Sequence, residues 1–251
     1  METLTKESFQ RPDDLTDRGR PDVLYALTLL TTRAVIGFIG IALPLALIIG
    51  EWFYLRGGVQ ARGSISAYYH TGMRDLFVAS LCVIGFFLVT YMLGQTNTQD
   101  FWFSLIAGVA VIGVAFFPTT RPGLDAANPR CGVVPVPDGC TAMQQQLGET
   151  TSAWVHFVLA AIFILCLARI CFLFARREQV HLNADKMART LRILGWTMVA
   201  ALAWIGLGRW LDVNLFGLTA LYVGEIVSVW AFGIAWLLKA RDLRKAFPAN
   251  T

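Results

Sequence analysis

The chain has 251 residues, 56% of them hydrophobic and 15% charged, and a formal net charge of +4. An ordinary soluble domain carries about 25% charged residues, so this composition points away from a soluble enzyme and toward a membrane protein. The small positive excess sits in loops and leaves no basic face for a nucleic acid.

Six apolar segments follow one another: Ala34–Tyr54, Leu76–Leu93, Phe101–Phe117, Ala153–Phe174, Leu194–Gly208 and Leu218–Leu238. Most are near the ~20 residues that a helix needs to cross a ~30 Å hydrocarbon layer. They predict an all-α polytopic protein, a bundle of six transmembrane helices over 23–245. An outer loop at 118–152 and tails at 1–22 and 246–251 complete it.

The tail at 1–22 mixes both signs of charge with few apolar residues and is expected to stay mobile. Val23–Thr32 reads as an interfacial helix leading into span one. No small-residue cleavage pattern follows in Glu51–Leu55, so span one is expected to be retained rather than cleaved as a signal peptide. Pro44 should kink it. The glycines of Arg56–Gly72 argue against one continuous helix there. Thr71 is predicted to cap the second helix, with Asp75 in its first turn, where a carboxylate suits the helix dipole. Pro118 should end the third. Glycines such as Gly37, Gly40, Gly108, Gly113, Gly206 and Gly208 allow close helix contact.

Charge sets the orientation. With both termini in the cytoplasm, the inside segments hold most of the Lys and Arg, including Arg33, Arg176, Arg177, Lys186, Arg189, Arg192, Lys239 and Arg241. The outside holds only Arg56, Arg62, Arg74, Arg121, Arg130 and Arg209. Positive charge is retained inside, so N-in and C-in is predicted. Cys131 and Cys140 then lie in the outer loop, around a Pro- and Gly-rich stretch, and predict a disulfide, with two free thiols as the other possibility. Cys82, Cys166 and Cys171 lie within spans as small packing residues.

A few polar residues could carry chemistry. Glu225 falls near the middle of the sixth segment, where a carboxyl costs on the order of 2.5–3.5 kcal/mol and usually faces the bundle interior. His156 lies about one turn into the fourth segment, while Ser64, Ser66, His70 and Asp75 sit at the start of the second on the same outer side. Ser66, His70, Asp75, His156 and Glu225 are therefore the candidate ligand-binding set, expected to share one cavity. Each also has a plainer reading, as a hydrogen-bonded packing residue. Arg169 can snorkel toward the inner headgroups, and Arg209 could pair with Asp212. No Walker loop, Rossmann glycine pattern, H-E-x-x-H or G-x-S-x-G is present.

The order "GSISAYYHTGMRDLFVASL", "FFPTT", "HFVLAA" and "GEIVSVW" resembles the six-span superfamily of damage-regulated autophagy modulators and the GPI-anchor lipid-remodelling factor. It is also similar to a bacterial family of multi-span proteins with an "FP … H-x-x-x-A" pattern. The resemblance implies six helices, cytoplasmic termini and a role in membrane lipid handling. Ser66 and His70 also look like the S-x-x-x-H start of the alkaline-ceramidase and adiponectin-receptor-like hydrolases. That resemblance implies catalytic zinc, and three protein ligands with an open position could be met by His70, Asp75 and His156. The final-span histidine pair of those hydrolases is absent, since Leu218–Leu238 contains no His.

The expectation is an inner-membrane protein that binds or handles a lipid or similar amphiphile. The alternatives are a zinc-dependent lipid amide hydrolase and a proton-coupled transporter using Glu225 and His156.

Overall fold

In the computed structural model the described residues are 21–57, 62–91, 96–125, 128–181, 184–215 and 218–246. Most of the tails expected at 1–22 and 246–251 lies outside them, as do residues 126–127 of the outer loop. The described residues are helical almost throughout, with seven α-helices: α1 (Pro21–Tyr54), α2 (Arg74–Thr90), α3 (Gln99–Phe116), α4 (Ala142–Leu147), α5 (Glu149–His181), α6 (Asp185–Trp210) and α7 (Ala220–Ala246). A 3₁₀ helix, Ser66–His70, precedes α2, and β1 (Asn214–Leu215) pairs antiparallel with β2 (Leu218–Thr219) before α7.

Five helices, α1, α3, α5, α6 and α7, are long and apolar enough to cross a membrane. The chain therefore has the make-up of a multi-pass membrane protein. The sixth predicted span corresponds to α2, with 17 residues. At 1.5 Å per residue it is about 25 Å long, a little short of a ~30 Å hydrocarbon layer.

The long helices pack in chain order, α1 on α2, α2 on α3, α3 on α5, α5 on α6 and α6 on α7, and α7 returns to lie along α1. Two of these seams close glycine to glycine. Gly37 of α1 faces Gly233 of α7, and Gly85 of α2 faces Gly108 of α3. Without side chains the backbones approach closely, which is how helices associate where apolar lipid offers no hydrophobic drive. Gly206 is different, with open space around it.

Contacts also sort the helix ends. At one end, Met73 before α2 lies against Gly50 of α1, and Glu225 of α7 bonds to the segment before α2. At the other, Tyr91 after α2 bonds to Arg33 of α1, and Arg177 of α5 pairs with Asp100 of α3. The first is labelled the outer end and the second the inner end, after the orientation expected from the charges. α2 thus runs alongside α1 from about Gly50 to Arg33.

Several boundaries differ from those read in the sequence. Val23–Thr32 is no separate interfacial helix but the first turns of a continuous α1 of 34 residues. The stretch between the fourth and fifth apolar segments, 175–193, is mostly helix, because α5 continues to His181 and α6 begins at Asp185. Arg, Lys, Glu and Gln are good helix formers, so hydropathy marks where hydrocarbon would end and not where the helix does. Thr71 does not cap α2. Met73 occupies that position without a side-chain cap, and Thr71 instead donates to the Tyr68 carbonyl at 2.9 Å and accepts from Met73 N at 3.1 Å.

Candidate functional site

The outer end is built around two irregular segments, residues 62–73 and 117–141. Pro118 stops α3, and the carbonyls that follow are buried and need partners. Side chains supply them. His156 Nδ1 donates to the Phe117 carbonyl at 2.7 Å, and Ser152 Oγ donates to the Pro118 carbonyl at 2.8 Å. The Thr119 carbonyl accepts from both His70 Nε2 at 2.8 Å and Gln144 Nε2 at 2.9 Å. A carbonyl only accepts, so each imidazole carries its proton on the bonded nitrogen.

Beyond Thr119 the chain is held by Arg121, which is only 7% exposed. Its Nε donates to Glu149 Oε1 at 2.6 Å, Nη1 to Asn128 Oδ1 at 3.0 Å and the Asp138 carbonyl at 2.6 Å, and Nη2 to the Pro129 carbonyl at 2.7 Å. One guanidinium fork thus organises the outer loop. The predicted Cys131–Cys140 disulfide is formed, with its Cα atoms 5.8 Å apart.

The segment before α2 is clamped to α1 and α7. Arg62 pairs with the buried Glu51, Thr219 Oγ1 donates to the Gly63 carbonyl, and Glu225 accepts from Ile65 N at 2.5 Å and from Ser66 Oγ at 2.9 Å. Ser66 and Ser64 hydroxyls are 3.1 Å apart. Glu225 sits in the second turn of α7, nearer the outer end than the span middle that the sequence suggested. The β1–β2 turn takes up the residues that hydropathy had counted into the span.

Between the two segments lies a cleft of about 340 Å³. Tyr69, His70, Arg74, Arg121, Asn128 and Asp138 are among its lining residues. Arg74 stacks over the Tyr69 ring at 4.8 Å and donates to its hydroxyl at 3.2 Å, and among the described residues no carboxylate lies within ion-pairing distance of it. Burial holds the His70 imidazole below its usual range. The Thr119 carbonyl and Glu149 oppose that shift, and the charges of Arg121 and Arg74 reinforce it.

Of the five candidate residues, only His70 lines this cleft. Ser66 and Glu225 join each other and hold the segment that carries His70, while His156 anchors the stretch to which His70 is also bonded. Asp75 is exposed on the first turn of α2. Glu225 and Ser66 thus bond to each other, and His156 and His70 bond to carbonyls of one stretch. The zinc set His70, Asp75 and His156 is not drawn together. Among the described residues, the group of three potential ligand atoms within 4.8 Å of one another is Cys131, Cys140 and Glu149, and two of these form the disulfide. Arg209 and Asp212 are both exposed and, among the described residues, form no ion pair, and Arg169 bonds to Gln99 at 2.8 Å.

Sequence reasoning missed Tyr69, Arg74, Arg121, Asn128 and Asp138. A usable signal was present in Arg74 and Arg121, cations that the expected orientation puts on the side poor in them. No protein-family profile, no curated protein and no solved structure matches this chain.

Proposed function

We propose that this chain is a six-span protein of a bacterial-type inner membrane, with both termini in the cytoplasm, that binds a lipid or similar amphiphile by an anionic headgroup in the outer cleft. The observation that carries the reading is Arg74, a cation in a polar cleft at the helix ends with no carboxylate paired to it. A guanidinium held over a tyrosine ring has further donors for a phosphate or carboxylate. His70 and Asn128 add polar groups to the same wall. The sixth span is α2, supported by its run between the same two ends as α1 from Gly50 to Arg33. The orientation is supported by the cations of α5, α6 and α7 at the inner end. Binding is favoured over turnover because both imidazole N–H groups are spent on backbone carbonyls and Ser66 bonds to Ser64 and Glu225, not to a histidine.

Lipid that co-purifies with gently extracted protein, identified by mass spectrometry, tests the reading. The wild type should carry an anionic amphiphile that Arg74→Ala loses. Equal amounts of the same lipids on both would refute the cleft as its seat. Alkaline phosphatase fused after Gly123 should be active and fused after Glu178 silent, and the reverse pattern would overturn the orientation.

A further inference from the structure

The inner end holds a second cation whose donors are largely unused. Arg33 lies on α1 within the stretch Leu27–Tyr54, and only 7% of it is exposed. Its guanidinium carbon stands 5.5 Å from the centre of the Tyr91 ring and 5.4 Å from that of Phe174, and its Nε donates to the Tyr91 hydroxyl at 2.5 Å. The buried carboxylates described at this end are committed elsewhere, Asp100 to Arg177 and Glu178 to Lys239. The two terminal nitrogens of Arg33, with four N–H donors, have no acceptor among the described residues. Trp236 packs against both Tyr91 and Phe174, and its buried indole N–H also lacks an acceptor.

A buried cation left without a counter-charge is costly in so apolar a setting, and the phenol and two rings answer only part of that cost. Arg177 and Lys239 each meet a carboxylate, Asp100 and Glu178, whereas among the described residues Arg33 meets none. The missing component is one anion with at least two acceptor oxygens, and a guanidinium fork meets a phosphate in that way. We infer that Arg33 is the centre of a phosphate-binding site at the inner end of the bundle, with Trp236 Nε1 as a second donor. The ligand is the phosphate ester of a lipid headgroup or a free phosphate. The site does not depend on which side of the membrane this end faces, nor on the outer cleft.

Native mass spectrometry of the full chain in detergent tests this with three probes: dioleoylphosphatidylglycerol, the matching diacylglycerol, which lacks the phosphate, and inorganic phosphate. The wild type should retain one phosphatidylglycerol and no diacylglycerol, and Arg33→Gln should weaken that retention about tenfold or more, as expected for losing charge-assisted hydrogen bonds. A thermal midpoint raised by inorganic phosphate, and only when Arg33 is present, would support the same site with free phosphate as its occupant. Retention and phosphate response that are both the same in Arg33→Gln as in the wild type would overturn the inference. So would an equal loss in Arg176→Gln, an exposed neighbouring cation, because that outcome marks non-specific attraction. If Arg33→Gln does not fold, Arg33→Lys keeps the charge and loses the fork. A severalfold drop is then expected, and unchanged retention refutes the site. Arg74→Ala should leave the Arg33-dependent retention intact, so the two sites fail separately.

Discussion

Removing the Glu225 carboxylate should loosen the segment that carries His70 by an amount the hydrogen bonds predict. Glu225 accepts from Ile65 N at 2.5 Å and Ser66 Oγ at 2.9 Å, and both residues are about 95% buried, at 5% and 4% exposure. In Glu225→Ala neither donor can turn to water, and each orphaned group costs about 1–3 kcal/mol. Ser66 has the Ser64 hydroxyl 3.1 Å away as a second acceptor, so its share falls at the low end. The sum is about 2–4 kcal/mol, or roughly 5–15 °C in the unfolding midpoint of a chain of this size. Glu225→Gln keeps one acceptor oxygen for Ile65 N, while the Ser66 hydroxyl must turn its proton to Ser64 and accept from the amide instead, so it should lose at most about half as much. In a Ser66→Ala background one donor remains and the glutamine oxygen can satisfy it, so the cost of Glu225→Gln should shrink by about 1–2 kcal/mol. The buried thiols of Cys166 and Cys171 become reactive only on unfolding, so a thiol-reactive fluorogenic dye reads the midpoint in detergent. A Glu225→Gln curve that superimposes on the wild type, with no coupling to Ser66, would refute the latch. The carboxyl would then be kept for its charge or its proton.

Two further outcomes follow from the packing. Gly108→Ala places a Cβ 2.7 Å from the Gly85 carbonyl oxygen and 2.8 Å from Val89 N, so α2 and α3 must separate and the midpoint should fall by several degrees. Gly206→Ala meets open space and should raise it, by up to about 1 kcal/mol of helix propensity, and equal shifts in the two variants would contradict the glycine seam. His70 binds a proton less readily folded than unfolded, so the unfolded chain takes up the extra proton as pH falls. Stability should therefore decline as pH drops below about 6.5, level off below the lowered native value, and decline less in His70→Gln across the same titration.

Much of the architecture was legible because hydrocarbon imposes one strong length and polarity rule. The apolar runs located every long helix, and Pro118 located the end of α3. The disulfide was legible because Cys131 and Cys140 are close in sequence and closed by a loop that bends easily. What stayed hidden depends on distance in the chain. Arg121 meets Glu149 across 28 positions, Arg177 meets Asp100 across 77, and Ser66 meets Glu225 across 159. No local pattern announces such a partner.

The histidines show how a correct placement can still mislead about role. Both were expected on one side of the membrane and do lie at one end of the bundle, where the two bond to carbonyls only two residues apart, at Phe117 and Thr119. Their shared task is to satisfy a backbone that Pro118 forces out of the helix, and a sequence offers no way to weigh that need against metal ligation. The exceptions to the charge rule were a better guide. An arginine retained on the side poor in cations has to be answered by something. Arg62 is answered by Glu51, Arg121 by Glu149 and three further oxygens, and Arg130 by the Thr150 hydroxyl. Among the described residues Arg74 has only an aromatic ring and a phenol, and it lines a cleft. Arg33 repeats the arrangement at the other end, with a phenol, two rings and four idle donors. A structural cation in an apolar protein is normally paired within the fold, as Arg177 and Lys239 are. Among the described residues, Arg33, buried beside a phenol, and Arg74, exposed at the mouth of a polar cleft, are the positions at which an anion from outside the chain would complete the structure.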